Sequence, residues 1–160
     1  MMSNEIDETE RQVTLGWSGF NNVGLCATAI AAILNVENSL TLPKALLIMP
    51  LVMHESTLRF LAKGNVRERQ VAAFASMNPE FVANFDKRFQ DSLVVSVNAI
   101  QLLISLGYAK LEQRLRLIKP FLIDQEFGKQ ALLIERSAKN MSALLSSTDD
   151  ELYLNLRVTL

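Results

Sequence analysis

The sequence is short of most of the residues on which chemistry is usually built. Among its 160 residues are one cysteine, Cys26, and one histidine, His54. A single thiol excludes an intrachain disulfide, and it excludes a thiolate metal cluster supplied by this chain alone. A single histidine excludes a histidine-rich metal site, and any triad or general-base scheme would have to rest on His54. Glycine and proline are scarce, at 6 and 4 residues. Neither a glycine-rich phosphate loop nor a pair of closely spaced cysteines is present, so no cofactor and no metal site are expected. Long apolar runs are missing too. The longest candidate, Leu42 to Met53, is interrupted by Pro43, Lys44 and Pro50 and falls short of the roughly 20 apolar residues a membrane span needs. The first residues are acidic (Glu5, Asp7, Glu8, Glu10) and lack the basic flank and apolar run of a signal peptide. A cytoplasmic location without membrane contact is therefore expected.

What is present is the composition of a folded protein. Hydrophobic residues make up 49% and charged residues 21%, and the length suits one domain with a real apolar interior. The expected organisation is an acidic leader over residues 1–20 followed by a single helical domain over residues 21–160. A mean hydropathy of +0.18 is high for a small chain. Either the core is large for the length, or apolar surface is meant to be covered by another protein, and the second reading is preferred. Charge is divided unevenly. Residues 1–58 carry two basic and six acidic side chains, residues 59–120 ten and five, and residues 121–160 four and six. Only the middle third is basic.

Val23 to Leu34 is rich in alanine, isoleucine and leucine and flanked by asparagines, which predicts a buried first helix. Leu42 to Met53 is apolar on all sides, which places it at the centre of the fold, with Pro50 expected to kink or end it. Ser56 or Thr57 is a candidate cap for a short helix through Leu61. Lys63-Gly64-Asn65 predicts a turn, and Val66 to Ser76 another amphipathic helix. Asn78-Pro79-Glu80 predicts a helix start. Phe81, Phe85 and Phe89 lie four apart and read as one core stripe. Ser92 is a candidate cap for a helix that presents Val95, Ala99, Leu102, Leu103 and Leu106 on one face and closes at Gly107. Beyond it, Tyr108 to Glu112 and Leu115 to Lys119 read as two short strands joined at Gln113-Arg114 and stopped by Pro120. A helix, a glycine and then a polar-tipped hairpin is the signature of a winged helix, with the wing at about residues 108–119.

Asp124 to Ser146 is expected to be the longest helix. Phe127, Ala131, Ile134, Ala138, Met141 and Leu145 alternate at spacings of four and three along it, a seam that packs on the domain or is shared with a partner's helix. At the end, Leu152, Leu154, Leu156, Val158 and Leu160 alternate with polar residues and predict a terminal strand. The competing reading is a helix capped by Thr148 with Glu151 three residues on. The fold expected from the residues is thus mainly α: a winged-helix-like domain with a short β-hairpin wing, additional N-terminal helices, a long C-terminal helix and a terminal strand.

Few residues are of a kind or in a place to support catalysis. Cys26 lies in an apolar helical run and reads as a buried, inert thiol. Ser56 and Thr57 are too near His54 in sequence for triad geometry, and no acid pair has an evident home, so His54 reads as structural. A small hydrolase using His54 is a third and least supported function class. Lys110, Arg114, Arg116 and Lys119, on or near the hairpin, are candidate contacts to a nucleic-acid backbone. The helix before them, Leu93 to Leu106, contains neither lysine nor arginine and is a poor reader of bases. Leu152, Tyr153, Leu154, Asn155, Leu156, Arg157 and Val158 are candidate partner-binding residues, through a strand that pairs with the hairpin or extends a partner's sheet. The chain reads as a non-catalytic adaptor. The alternative is a stand-alone winged-helix transcription regulator, which should be a symmetric dimer binding a palindromic duplex.

Several strings together resemble a known family. They are Asn21-Asn22-Val23-Gly24, the stretch Leu42 to His54, Leu103-Ile104-Ser105-Leu106-Gly107-Tyr108, Glu135 to Asn140, and Leu152 to Val158. From about residue 20 onward the chain resembles the middle components of bacterial ABC three-component conflict systems, of which the Lamassu antiphage and antiplasmid systems are relatives. The family's Pro-Leu-Val-Leu-His pattern reappears as Pro50-Leu51-Val52-Met53-His54, and Glu55 stands where many members carry a basic residue. The resemblance implies a non-catalytic subunit that accompanies a large SMC- or Rad50-like coiled-coil ATPase and a nuclease-type effector in antiviral or plasmid defence. ATP chemistry and DNA cleavage would belong to those partners, and DNA would be met only weakly or through the complex.

Overall fold

The computed structural model describes residues 22–63 and 70–160. The leader, the Lys63-Gly64-Asn65 turn beyond Lys63, and the first part of the helix expected from Val66 lie outside the described residues. The fold is mainly helical with one small antiparallel sheet.

Helix α1 (22–37) is the central element. Every residue from Cys26 to Leu34 is buried, as the run of small and branched apolar side chains predicts. Strand β1 (Ser39–Leu40) follows directly. Asn38 takes the left-handed conformation at φ 65° that makes the reversal between them. Helix α2 (Leu42–Met53) is capped by Thr41, whose side chain accepts from the Lys44 amide. Pro43 stands in its first turn, where the missing N–H costs nothing. Ala45 and the run from Leu47 to Val52 are buried. Pro50 does not end α2, which continues through Met53. Its missing donor falls in the last turn, so the broken bond lies close to where the ladder stops anyway.

Helix α3 (Glu55–Leu61) is preceded by His54 at the cap position. Neither Ser56 nor Thr57 caps it, because both lie within the first turn. Helices α4 (Val71–Met77) and α5 (Pro79–Val82) are short, and Phe60, Phe74 and Phe81 hold them to α3 with ring centroids 5.3 to 6.1 Å apart. The helix start at Asn78-Pro79 is present, although the Asn78 amide donates back to the Phe74 carbonyl at 3.1 Å instead of capping forward.

Phe81, Phe85 and Phe89 are all buried but do not form one stripe. Asn84, at φ 60°, breaks the chain between Phe81 and the next helix, α6 (Phe85–Ser105). At 21 residues α6, and not the 16-residue helix Lys129–Leu144 formed within the stretch from Asp124 to Ser146, is the longest helix among the described residues. Ser92 is therefore no cap. It lies inside α6, buried, and donates to the Phe89 carbonyl. The C-terminus closes as expected at Gly107 with φ 79°. The Tyr108 amide donates to the Leu103 carbonyl and the Gly107 amide to that of Ile104, the paired bonds of a Schellman motif.

Strands β2 (Ala109–Leu111) and β3 (Leu115–Leu117) form the predicted hairpin. Its sheet has a third member that the sequence did not announce: β1 pairs antiparallel with β3, giving the order β1-β3-β2. Leu40 and Leu115 are cross-strand partners on the core side. Asn35 ties down the chain after the hairpin, its side chain donating to the Phe121 carbonyl at 2.7 Å and accepting the Phe121 amide at 3.0 Å.

Asp124 caps only a single 3-10 turn, Gln125–Phe127. Gly128, at φ 96°, then resets the direction, and helix α7 (Lys129–Leu144) begins. Phe127 therefore leaves the expected seam and stays exposed. Ala131, Ile134, Ala138, Met141 and Leu145 keep to it and are buried within the molecule, so a partner's helix has no access to that seam.

The terminal strand is not formed. Residues Asp149–Asn155 are helix α8, opened by a full capping box between Thr148 and Glu151. Leu152 and Leu156, one helical turn apart, are wholly buried, whereas Leu154 is 78% exposed. Alternation at period two was imitated by a short helix in which one leucine of three faces solvent. The segment is held by specific bonds: Tyr153 donates to the Pro43 carbonyl at 2.7 Å, Thr41 to Asp149 at 2.9 Å, and the Thr159 amide to Asp86 at 2.9 Å.

Candidate partner-binding surface

The two titratable groups of catalytic interest are both accounted for structurally. Cys26 is fully buried, and burial pushes its thiol up to about 12, with Ser96 hydrogen-bonding from 3.9 Å in partial opposition. His54 Nδ1 lies 2.7 Å from the Thr57 hydroxyl, and its ring meets Phe81 edge-on at 5.9 Å. Burial, then the positive charge of Arg88, hold the imidazole below its ordinary range against the opposing pull of Glu80. His54 and Cys26 thus sit in separate environments. Among the described residues no group of three or more histidine, cysteine, aspartate or glutamate side chains is placed to hold a metal ion. Nor is any helix there long and apolar enough to cross a membrane.

The surface is more informative. Helix α6 buries Phe89, Ser92, Ser96, Ala99 and Leu103 on its inner side, yet Val94 is 72% exposed, Val97 46% and Ile104 38%. With Gln101 they stand at successive spacings of three, four and three, a narrow outer stripe of coiled-coil type. The stronger series Val95, Ala99, Leu102, Leu103 and Leu106 masks these outer residues, which form a second, offset series. At the C-terminal end of α6, Leu102 and Leu106 turn into a groove of about 640 Å³. Leu25, Ala27 and Thr28 of α1, Phe121, and Phe127 with Gly128 at the start of α7 form its walls.

The hairpin cations fall into two groups. Lys110 and Arg116 are cross-strand neighbours, and Ser39 of β1 stands opposite Arg116 on the other side. Arg114 reaches the same row, its Nε donating to the Ser39 hydroxyl at 3.1 Å. Lys110, Arg114 and Arg116 are thus brought together on the outer face of the sheet. The one acid among them, Glu112, is paired with Lys110 at 2.9 Å, and that bond and charge hold its carboxyl below the usual range. Lys119 is apart from the row, its ammonium 4.5 Å from the Tyr108 ring centroid at the base of the hairpin. The candidates at the C-terminus divide as well. Leu152 and Leu156 are core, Tyr153 is half-buried and bonded to Pro43, and Leu154, Asn155, Arg157 and Val158 are at least partly accessible.

No curated protein and no solved structure gives a significant match to the chain. A family model does, over residues 23–160: ABC-three component (ABC-3C) system Middle Component 3. That span runs from the first turn of α1 through α8, so it takes in both the α6 stripe and the sheet, and the chain belongs to the Middle Component 3 family of ABC-three component systems.

Proposed function

We propose that this middle component is a non-catalytic adaptor, which binds an SMC- or Rad50-like coiled-coil ATPase and a nuclease-type effector and links them in a Lamassu-like antiphage or antiplasmid defence complex. The observation that carries the reading is the outer stripe of α6. Val94, Val97 and Ile104 are exposed at heptad-type spacing on a helix whose other face is fully used by the core. A helix of the partner's coiled coil is the complementary shape. Family membership supports the presence of protein partners, and the inert placements of Cys26 and His54 support a role without chemistry of its own.

The hairpin after α6, joined at its open edge by β1 from far upstream, supports describing the sheet with α1, α2 and α6 as winged-helix-like. In this reading the wing is secondary to the α6 stripe, because from Val94 to Ser105 the exposed residues of α6 are apolar, amide or hydroxyl side chains where a sequence reader would offer arginine.

The test is co-expression of the three components with an affinity tag on the ATPase. Val94→Asp with Val97→Asp places two charges on the stripe without touching the core. The expected result is at least a tenfold drop in co-purified middle component, with an unchanged thermal unfolding midpoint. Undiminished co-purification overturns the assignment of the surface. Substrate turnover by the isolated chain overturns the adaptor reading itself, and tight binding of a palindromic duplex by a symmetric dimer of the chain replaces it with a regulator.

A further inference from the structure

We infer that the outer face of the β1-β3-β2 sheet is a docking surface for the phosphate backbone of duplex DNA, read without regard to sequence. Neighbouring strands are spaced about 4.8 Å apart, so Arg116 and Lys110 on adjacent strands, with Arg114 anchored over Ser39 of β1, form a short row of cations across the sheet. All three side chains are exposed. The anchoring of Arg114 uses Nε and leaves the two terminal nitrogens for a further acceptor. Among the described residues Arg116 makes no ion pair, and Glu112 is the single acid in the row, already satisfied by Lys110. The face therefore carries a net positive charge on a hydrogen-bonded three-stranded support, which suits a polyanion with closely spaced charges. Helix α6 adjoins it without contributing a lysine or arginine from Leu93 to Leu106. Backbone contact without base readout follows. The inference does not depend on the adaptor reading, since it concerns the isolated chain.

The experiment is fluorescence anisotropy of a random-sequence DNA duplex titrated with the purified full chain, repeated between about 50 and 200 mM salt. Weak binding is expected, with Kd on the order of 10⁻⁴ M at the upper end and a log–log salt slope near −3 for about three phosphate contacts. Arg116→Gln should reduce that slope by about one unit, uniformly across sequences. The triple variant Lys110→Gln, Arg114→Gln, Arg116→Gln should lose binding, whereas Arg136→Gln with Lys139→Gln on α7 should not. Each variant is checked for an unchanged circular dichroism spectrum. Binding retained by the folded triple variant, or lost equally in the α7 control, overturns the proposal. Polyglutamate that displaces the duplex at equal charge concentration reassigns the face to an acidic protein and overturns it as well.

Discussion

The guanidinium of Arg88 donates from Nε to the carbonyl oxygen of Pro50, 3.2 Å away and 38 residues back along the chain. Its remaining nitrogens donate to the carbonyls of Phe81 at 2.8 Å and Ala83 at 3.0 Å. One planar fork thus collects the unpaired carbonyls at the C-terminal ends of α2 and α5, where helix dipoles favour a cation. Replacing Arg88 with methionine keeps much of the packing over Phe85 and removes the donors. The expected loss is about 2 kcal/mol, seen as a fall of about 4–8 °C in the thermal midpoint for a chain of this size. Arg88→Lys should recover only part of it, because a single ammonium cannot reach three diverging carbonyls. A lysine variant as stable as the native chain would show that charge alone, and not the fork, is what matters.

Leu154 and Leu156 separate the two readings of the C-terminus. In a strand both would share a face and be equally sensitive. In α8 Leu156 is wholly buried and Leu154 is 78% exposed. Leu156→Ala should therefore cost about 2–4 kcal/mol, and Leu154→Lys less than about 0.5 kcal/mol, as measured by urea unfolding. Equal losses at the two positions would contradict the helix.

Why the sequence misled there is a matter of length. Seven residues contain less than two helical turns, so leucines at 152, 154 and 156 satisfy a period of two as readily as a helix with one outward leucine. The capping box at Thr148 and Glu151 was the stronger signal, since it names a specific pair of bonds. Gly107 was legible for the same reason: only a left-handed closure needs it. By contrast, the pairing of β1 with β3 brings Ser39 beside Arg116, a contact that no local pattern encodes, and the sheet's cation row depends on it. Phe127 was lost from the α7 seam because Gly128 interrupts the helix one residue later. The burial of α2 was readable from its uniform apolarity, and the outer stripe of α6 is masked by the core-facing periodicity that dominates that helix.

Cys26 gives a direct check on the packing between α1 and α6. Its thiol is fully buried and raised to about 12, so almost no thiolate exists near pH 8 and none is accessible. An aromatic disulfide reagent should leave the native protein unmodified over a period in which the urea-unfolded chain reacts to completion. Prompt stoichiometric labelling of the native protein would mean that α1 is not enclosed as described.

His54 should make the protein acid-sensitive. Its folded-state pKa lies below the ordinary 6.5, so the unfolded chain binds the proton more readily than the native one. The histidine's contribution to stability is therefore complete above about pH 6.5 and declines as the pH falls toward the folded-state value. The native thermal midpoint should drop as the pH falls below about 6.5, and His54→Gln, which has no proton to gain there, should flatten that part of the profile. Arg88 supplies a second arm. Because its charge is the second cause of the shift after burial, Arg88→Met should reduce the acid-induced drop without abolishing it, even though the variant is less stable at every pH. Parallel profiles for the native chain and His54→Gln would place the acid sensitivity elsewhere, and an unchanged profile in Arg88→Met would leave burial as the whole cause.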